Sequence, residues 1–321
     1  MVQRILLRTL HSLILVVCAV VAVFLVVRLL PGDPVTAITG EYPVPAAYAA
    51  EIRASYGIDR PLPVQLGLYV AALARGDLGF SFKNQKSVNQ LLRERGVNTL
   101  LLGGTAFVLA TALGITLGVL SAARRSRFTD RVIRSFAAFS YAAPVFWIGQ
   151  LLILLLAVRF QVLPVAGMVS ARGVSGGPGQ VLDVVQHLLL PAIVLALPIA
   201  AIHTRILRVS MIEALHAEYV KTARAKGLPE QTVVLRHALR NALLPLITVI
   251  ALEIPTLFTG SVLVETVFSW PGLGRLLFDS IGSRDYPVVE AMLLLVTVAV
   301  IGANWFADIL YGRLDPRLMR A

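Results

Sequence analysis

Glu218-Tyr219-Val220-Lys221-Thr222-Ala223-Arg224-Ala225-Lys226-Gly227-Leu228 is a charged stretch between two apolar runs of a chain that is otherwise mostly lipid-soluble. From Ser210 to Ala225 the apolar residues Met211, Ile212, Leu215, Tyr219, Val220 and Ala223 recur at helical spacing, and Glu213, Lys221 and Arg224 take the other side. Glu218 and Lys221 are three residues apart and can pair along the surface. Arg224 and Lys226 fall in the last turn, where the helix dipole favours cations. Gly227 suits a left-handed cap, and Pro229 prevents continuation. A second helix is predicted from Pro229 to Asn241, with Arg236 and Arg240 on one face. The product is two short helices around a glycine corner.

Around this stretch the composition is that of a membrane protein. Of 321 residues 57% are hydrophobic and only 15% charged, and the mean hydropathy is +0.79. A soluble domain carries roughly a quarter charged residues. The net charge of +11 does not mark a nucleic-acid binder, because the basic residues lie between apolar runs rather than on one face. Cys18 is the single cysteine, which excludes a disulfide framework and a thiolate metal site.

About 20 apolar residues in a helix cross a hydrocarbon core of about 30 Å. Six runs qualify: Leu10–Leu30, Thr99–Ala122, Phe136–Val158, Leu188–Leu207, Ala242–Val264 and Val288–Leu310. The fourth is the weakest, interrupted by Pro191 and Pro198. The first follows Arg4 and Arg8 but is too long for a signal peptide's apolar core and reads as a retained anchor. With the N-terminus cytoplasmic, inner segments collect Arg124, Arg125, Arg127, Arg131 and Arg134, then the cations from Arg205 to Arg240, and finally Arg313, Arg317 and Arg320. The two short outer loops hold only Arg159, Arg172, Arg275 and Arg284, so both termini are expected inside.

The predicted fold is an all-α integral membrane protein. It has six transmembrane helices, an extracytoplasmic segment after the first, and the cytoplasmic hairpin between the fourth and fifth. In domain terms, residues 1–97 are an anchor helix plus outer segment, 98–311 a core of five helices, and 312–321 a cytoplasmic tail. Within the outer segment, Pro45–Tyr56 and Val64–Arg75 read as short helices, and Gly76-Asp77-Leu78-Gly79 as a turn. It is either a cap over helix ends or a docking surface or gate for an outside partner. The hairpin is likewise either an interfacial element touching anionic lipid or a lever seated in a cytoplasmic partner.

Glu218 to Leu228, followed by Arg236-His237-Ala238-Leu239-Arg240-Asn241-Ala242-Leu243-Leu244-Pro245, resembles the coupling loop of ABC-transporter permeases of the dipeptide/oligopeptide/nickel import group. Leu29-Leu30-Pro31-Gly32-Asp33-Pro34, Asp59-Arg60-Pro61-Leu62-Pro63-Val64-Gln65 and Gly76-Asp77-Leu78-Gly79 look like the outer segment of that group's first permease subunit. Val264-Glu265-Thr266-Val267-Phe268-Ser269-Trp270-Pro271-Gly272-Leu273-Gly274 and Leu314-Asp315-Pro316-Arg317 are similar to its fifth outer loop and tail. The pieces come in the expected order over nearly the whole chain. The broad family's loop reads Glu-Ala-Ala, three residues, then Gly; here Lys221-Thr222-Ala223 takes those first positions, as in the peptide branch. Either Glu218 or Lys221 then makes the main polar contact.

The resemblance implies one permease subunit of a bacterial inner-membrane importer, multi-pass and not itself an enzyme. A second, homologous permease would complete the path as a heterodimer, and two ATP-binding subunits would dock on the coupling loops. An extracytoplasmic binding protein would deliver the solute. Short peptides are the expected cargo; nickel, glutathione or another small solute are the alternatives. No Gly-x4-Gly-Lys-Ser/Thr phosphate loop occurs, so no cofactor is expected on this chain and ATP-Mg belongs to partners.

A charge at the bilayer centre costs roughly 2.5–3.5 kcal/mol on insertion scales, so Glu253, midway along the fifth run and followed by Pro255, is expected to face protein or water, or to be protonated. It is either a structural carboxyl bonded to a neighbouring helix or a wall of the permeation path. Asn304 and Asp308 in the sixth run pose the same question. Arg28 can snorkel outward and gets no role. Pro144, Pro198, Pro245 and Pro255 kink a path or are simply accommodated by packing. A self-contained secondary transporter or channel would show inverted repeats, which the six runs do not display. An intramembrane enzyme would need paired groups at depth, and His11, His187, His203, His216 and His237 form no evident pair.

Overall fold

The computed structural model describes residues 2–29, 45–56, 60–81, 83–123, 127–170, 177–253 and 262–314. The readings at Leu30 to Pro34, Asp59, Arg124, Arg125, Pro255 and Asp315 to Arg317 lie outside those residues, as does the side chain of Asp308. In chain order come α1 (Val2–Leu29), α2 (Ala46–Tyr56), α3 (Leu62–Ala74), the strands β1 (Phe80–Ser81) and β2 (Lys86–Ser87), and α4 (Val88–Ala123). Next come α5 (Arg127–Ala142), α6 (Val145–Leu152) running on as a π-helical stretch Ile153–Arg159, α7 (Pro178–His216) and α8 (Glu218–Ala225). The last are α9 (Glu230–Thr232), a second π-helical stretch Val233–Ala238, α10 (Leu239–Glu253), α11 (Val262–Val267), α12 (Leu273–Gly282) and α13 (Tyr286–Leu314).

Among the described residues four helices are long and apolar enough to cross a membrane: Leu6–Leu29, Val88–Ala123, Pro178–His216 and Glu230–Glu253. A bent pair, Phe128–Ala142 with Val145–Arg159, counts as a fifth if it is one span. This corrects the third run, read as continuous over Phe136–Val158: the chain turns by 107° between its halves. Pro144 has no N–H and disfavours helical backbone at Ala143 before it, and it adopts extended angles (φ −59°, ψ 127°) from which α6 restarts. The fourth run behaves in the opposite way. Pro191 and Pro198 are both absorbed within the 39 residues of α7.

By internal contacts the chain forms two compact units, one of Met1–Thr99 with Gly272–Ala321, the other of Leu100–Pro271. In the first, α1 packs along α13, and α12 packs on α13 as well. Arg28 does not simply snorkel: its guanidinium lies 3.3 Å from the Glu290 carboxylate, donates to Gln65 Oε1 at 3.0 Å and covers the Phe24 ring at 5.1 Å. Thr99 Oγ1 accepts the backbone N–H of Leu273 at 2.8 Å, capping the start of α12 from a distance of 174 residues in sequence.

The turn read at Gly76 to Gly79 is present, and it leads into a short antiparallel hairpin that the sequence reading did not include. Gly76 and Gly79 both have left-handed backbone (φ +74° and +92°), which side chains resist. Asn89 pins the turn twice, accepting from Leu78 N at 3.1 Å and donating to Gly76 O at 2.6 Å. Ser81 donates its hydroxyl to the buried Asp285 carboxylate. Burial raises the Asp285 carboxyl above the ordinary aspartate range, partly offset by its hydrogen bond from Ser81.

In the second unit, α4 crosses α7 at van der Waals contact. A methyl group placed on Gly114 would meet His203 Cβ at 2.3 Å, and one on Gly118 would meet Leu207 Cβ at 2.9 Å. Small residues four apart are what let two helix backbones approach so closely. One apolar core joins Leu102, Ala106 and Ala110 of α4 to Leu190, Val194 and Ala196 of α7, with Phe268 and Trp270 closing over it. A second core lies beneath the polar hairpin and positions the site described next.

Candidate functional site

The hairpin begins with a break that the sequence reading missed. The apolar spacing from Ser210 to Ala225 predicts one helix, but α7 stops at His216 and Ala217 is extended (φ −68°, ψ 149°). Alanine has no side chain with which to cap the new start, so the break follows from packing rather than local chemistry. It swings α8 so that Val220 and Ala223 enter the second core, against Leu207, Met211, Val233, Val234 and Ala238. Val220 is 0% exposed. The spacing of these two residues, i and i+3, puts both on one face of a two-turn helix.

The rest of α8 points outward. Glu218, Tyr219, Lys221, Thr222, Arg224 and Ala225 are exposed, as are Lys226, Gly227 and Leu228 beyond it. The Glu218 side chain is 87% exposed and pairs with Lys221 at 2.7 Å, as its spacing predicts. Thr222 Oγ1 donates to Glu218 O at 3.0 Å. Arg224 makes a forked pair with Glu230 across the turn, Nη2 to Oε1 at 2.7 Å and Nε to Oε2 at 3.1 Å. That carboxylate holds the guanidinium proton more tightly than usual.

Gly227 is the left-handed corner, at φ +77°, and a methyl group placed there would meet nothing within 4 Å. Its N–H bonds to Arg224 O at 2.9 Å. Pro229 then takes extended angles (φ −56°, ψ 139°) and opens α9. The second helix, expected to end at Asn241, instead continues through the π-helical stretch into α10 without a break, so the hairpin's return limb and the following apolar helix are one rod. α8 is therefore packed against α7 on one side and against the return limb of the α10 rod on the other.

A cluster near this site was not legible in the sequence. Arg208 of α7 grips Asp130 of α5 with two bonds, Nε to Oδ1 at 2.7 Å and Nη2 to Oδ2 at 2.9 Å. Ser121 of α4 donates to the same carboxylate, and Arg134 approaches it at 3.3 Å. Three helices of the second unit are joined by one buried-edge network, built from residues whose charges alone suggested only topology.

Of the candidate path residues, Glu253 Oε2 lies at hydrogen-bonding distance, 2.8 Å, from His203 Nε2; the His203 side chain is 0% exposed and that of Glu253 20%. Two of the five histidines therefore lie beside carboxylates, since His187 is also 3.3 Å from Asp183. Asn304 belongs to the other unit, exposed on α13. Among the described residues no group of three or more His, Cys, Asp or Glu is placed to hold a metal.

Two family profiles cover the chain. Residues 114–320 match "Binding-protein-dependent transport system inner membrane component" and residues 1–103 match the N-terminal region of such a membrane component. The chain is 41% identical over 312 residues to the dipeptide transport system permease protein DppB of Escherichia coli (strain K12), covering 92% of each. It is 41% identical over 309 residues to the di/tripeptide transport system permease protein DppB of Pseudomonas aeruginosa (strain UCBPP-PA14), again 92% of each. It is 38% identical over 298 residues to the glutathione transport system permease protein GsiC of Salmonella choleraesuis (strain SC-B67), with 93% of this chain and 92% of that one covered.

Proposed function

The chain belongs to the family of inner-membrane components of binding-protein-dependent transport systems, and from that premise we propose that it forms half of the path by which an ATP-driven importer brings in short peptides. It is a permease subunit, and ATP hydrolysis belongs to separate subunits. A second, homologous permease completes the path, two ATP-binding subunits carrying ATP-Mg dock from the cytoplasm, and an extracytoplasmic binding protein delivers the solute. Six helices cross the membrane with both termini inside: the four long helices, the bent α5–α6 pair, and α13, whose 29 residues reach about 43 Å at the helical rise. Residues 1–97 serve as anchor and outer segment, 98–311 as the core and 312–321 as the tail. The relatives named for dipeptides and di/tripeptides support peptide cargo over nickel or glutathione.

The observation that carries this reading is the build of α8. Two buried side chains hold it, every other face is presented outward, and a left-handed glycine fixes its end. Such a helix is a knob without a socket among the described residues, and a groove on an ATP-binding subunit supplies one. Glu218 to Leu228 make the contact, with Glu218 and Lys221 as the outermost polar groups. Closure of the ATP-binding pair moves α8, and Val220 and Ala223 pass that motion to α7 and α10, alternately opening the path to each side. Glu253, oriented by His203, and Asn304 contribute polar wall to it.

Two measurements test the proposal separately. Lys221→Cys and Leu228→Cys in the assembled transporter are expected to cross-link to an ATP-binding subunit; if no nucleotide hydrolase is ever captured through residues 221–228, the coupling role is wrong. Proteoliposomes holding the whole assembly are expected to take up labelled dipeptide when ATP is supplied. Uptake of glutathione or nickel without dipeptide would overturn the cargo and leave the coupling role standing.

A further inference from the structure

The second unit contains a cavity of about 520 Å³ between α5 and α7, within the size range of small-molecule sites. Its walls are two helical stripes, Arg134, Ala137, Ala138 and Tyr141 on α5, facing Ala201, Thr204, Arg205 and Arg208 on α7. Both stripes step by three or four residues, the spacing of one helix face. Arg208 grips Asp130, one turn before Arg134, so the two helices run antiparallel here and the cavity is polarised along its length. At one end are three guanidinium groups; at the other, about 10 Å away by helical rise, are alanine methyls, Ile202 and Tyr141.

The charged end is not balanced. Asp130 is the carboxylate that answers these cations, and Arg208 occupies both of its oxygens while Arg134 lies beside them. Arg205 has no carboxylate partner among the described residues. A surplus of positive charge at one end of a cavity whose other end is apolar matches a molecule of the same polarity.

We propose that this groove binds an anionic phospholipid, with the phosphate between Arg134 and Arg205 and the acyl chains along Ala137, Ala138, Ala201 and Ile202. Guanidinium and phosphate oxygens form short, charge-assisted bonds, and an acyl chain makes van der Waals contact with the methyl groups at the apolar end. The occupant lies against the same α5–α7 contact that Arg208 and Asp130 lock, so it would stiffen the upper limb from which α8 hangs. This goes beyond the coupling role and stands or falls independently of the cargo.

The test uses the full chain, purified with its partner subunits and placed in phosphatidylcholine nanodiscs containing photoactivatable phosphatidylglycerol. Adducts mapped by mass spectrometry are expected on residues 134–141 and 201–208. Arg205→Gln should lower that labelling about fivefold, as loss of one lipid-facing cation does, and Arg205→Lys should restore most of it. Ala201→Leu keeps every charge and should displace the adducts from the apolar end, which covers the case of an unstable Arg205→Gln. Equal labelling by a phosphatidylcholine probe, indifference to Arg205→Gln, or displacement by dipeptide would each overturn the proposal, the last by making the groove part of the peptide path. Displacement by millimolar inorganic phosphate as effective as that by unlabelled phosphatidylglycerol would reassign the site to a free anion.

Discussion

Two glycine-cornered turns in this protein are built to opposite ends. The turn at Gly76 to Gly79 is enclosed: a methyl group on Gly79 would meet Pro287 Cβ at 3.3 Å, Asn89 bonds it on both sides, and Ser81 ties the following strand to buried Asp285. The turn at Gly227 has open space around it, and its side-chain tie is an exposed ion pair from Arg224 to Glu230. Both corners need left-handed backbone, so glycine appears at each for the same reason. What differs is how far each turn is completed. The first is finished by its own chain, and the second, on the proposed coupling role, presents a surface for another protein to finish.

The largest effect should come from substituting the open corner with a residue that cannot turn left-handed. Gly227→Val places a β-branched side chain at φ +77°, where strain of order 1–3 kcal/mol favours a different turn. Open space means that this strain is released by reshaping the hairpin rather than by unfolding. Membrane insertion and ATP hydrolysis by the assembly should persist while peptide uptake falls by about tenfold or more. Wild-type uptake in that variant would show that the corner transmits nothing.

At the closed turn, the comparable change acts on stability. Ser81→Ala leaves the buried Asp285 carboxylate without its hydroxyl donor, at a cost of about 1–3 kcal/mol. Thermal melting of the detergent-solubilised chain should register that loss, and uptake at low temperature should not. A matched pair then isolates the surroundings from the backbone. Gly79→Ala meets both a left-handed φ and Pro287, whereas Gly227→Ala meets the φ alone, so each costs about 1–2 kcal/mol with Gly79→Ala the larger. Equal losses would mean that the enclosure around Gly79 contributes nothing.

Asp285 adds a pH dependence to the closed turn. Its folded carboxyl is raised above its unfolded range by burial, so between the two values the native state holds a proton that the unfolded chain has released. Stability of this turn is therefore greatest below the ordinary aspartate range and declines as pH rises through the folded value. Protection of the Gly79 and Val88 amides, taken relative to the base-catalysed exchange rate of an unfolded chain, should fall over that interval, and Asp285→Asn should flatten the profile. The Gly227 turn, whose charges face water, should show no matching trend at those pH values.

How far the sequence foretold this depends on whether a feature was local. Gly227 and Pro229 are local signals, and so are the apolar runs, of which the first, second, fourth and fifth overlap helices long enough to cross a membrane. Ala217 was not: Ala214-Leu215-His216-Ala217-Glu218 continues a helical pattern, and the break appears because Val220 and Ala223 pack better against Met211 and Ala238 than a straight helix allows. Pro144 and the pair Pro191 and Pro198 carry the same local signal with opposite outcomes, since α7 is supported by packed neighbours along its length and the α5–α6 joint is not held straight. The Arg208–Asp130 grip joins residues 78 apart, and nothing in either neighbourhood names the other. Glycines 114 and 118 were visible as small residues, but not that His203 and Leu207 would close upon them.

The smallest effect is also the sharpest probe of the contrast between the two turns. Arg224 and Glu230 are both substantially exposed, and exposed pairs contribute about 0.2–1 kcal/mol even with forked geometry. Glu230→Gln should leave the melting temperature of the chain nearly unchanged. In the free subunit it should speed amide exchange at Lys226 and Gly227 by up to about fivefold, the equivalent of that energy as local opening. Raised salt should mimic the substitution, because the pair is screened by ions as the enclosed turn is not. Once the ATP-binding subunit is bound the difference should vanish, since a socket supplied by the partner replaces the tie that Glu230 provides. If instead those amides are as protected in the free chain as Gly79 and indifferent to Glu230, the hairpin is already finished by its own chain and needs no partner to hold it.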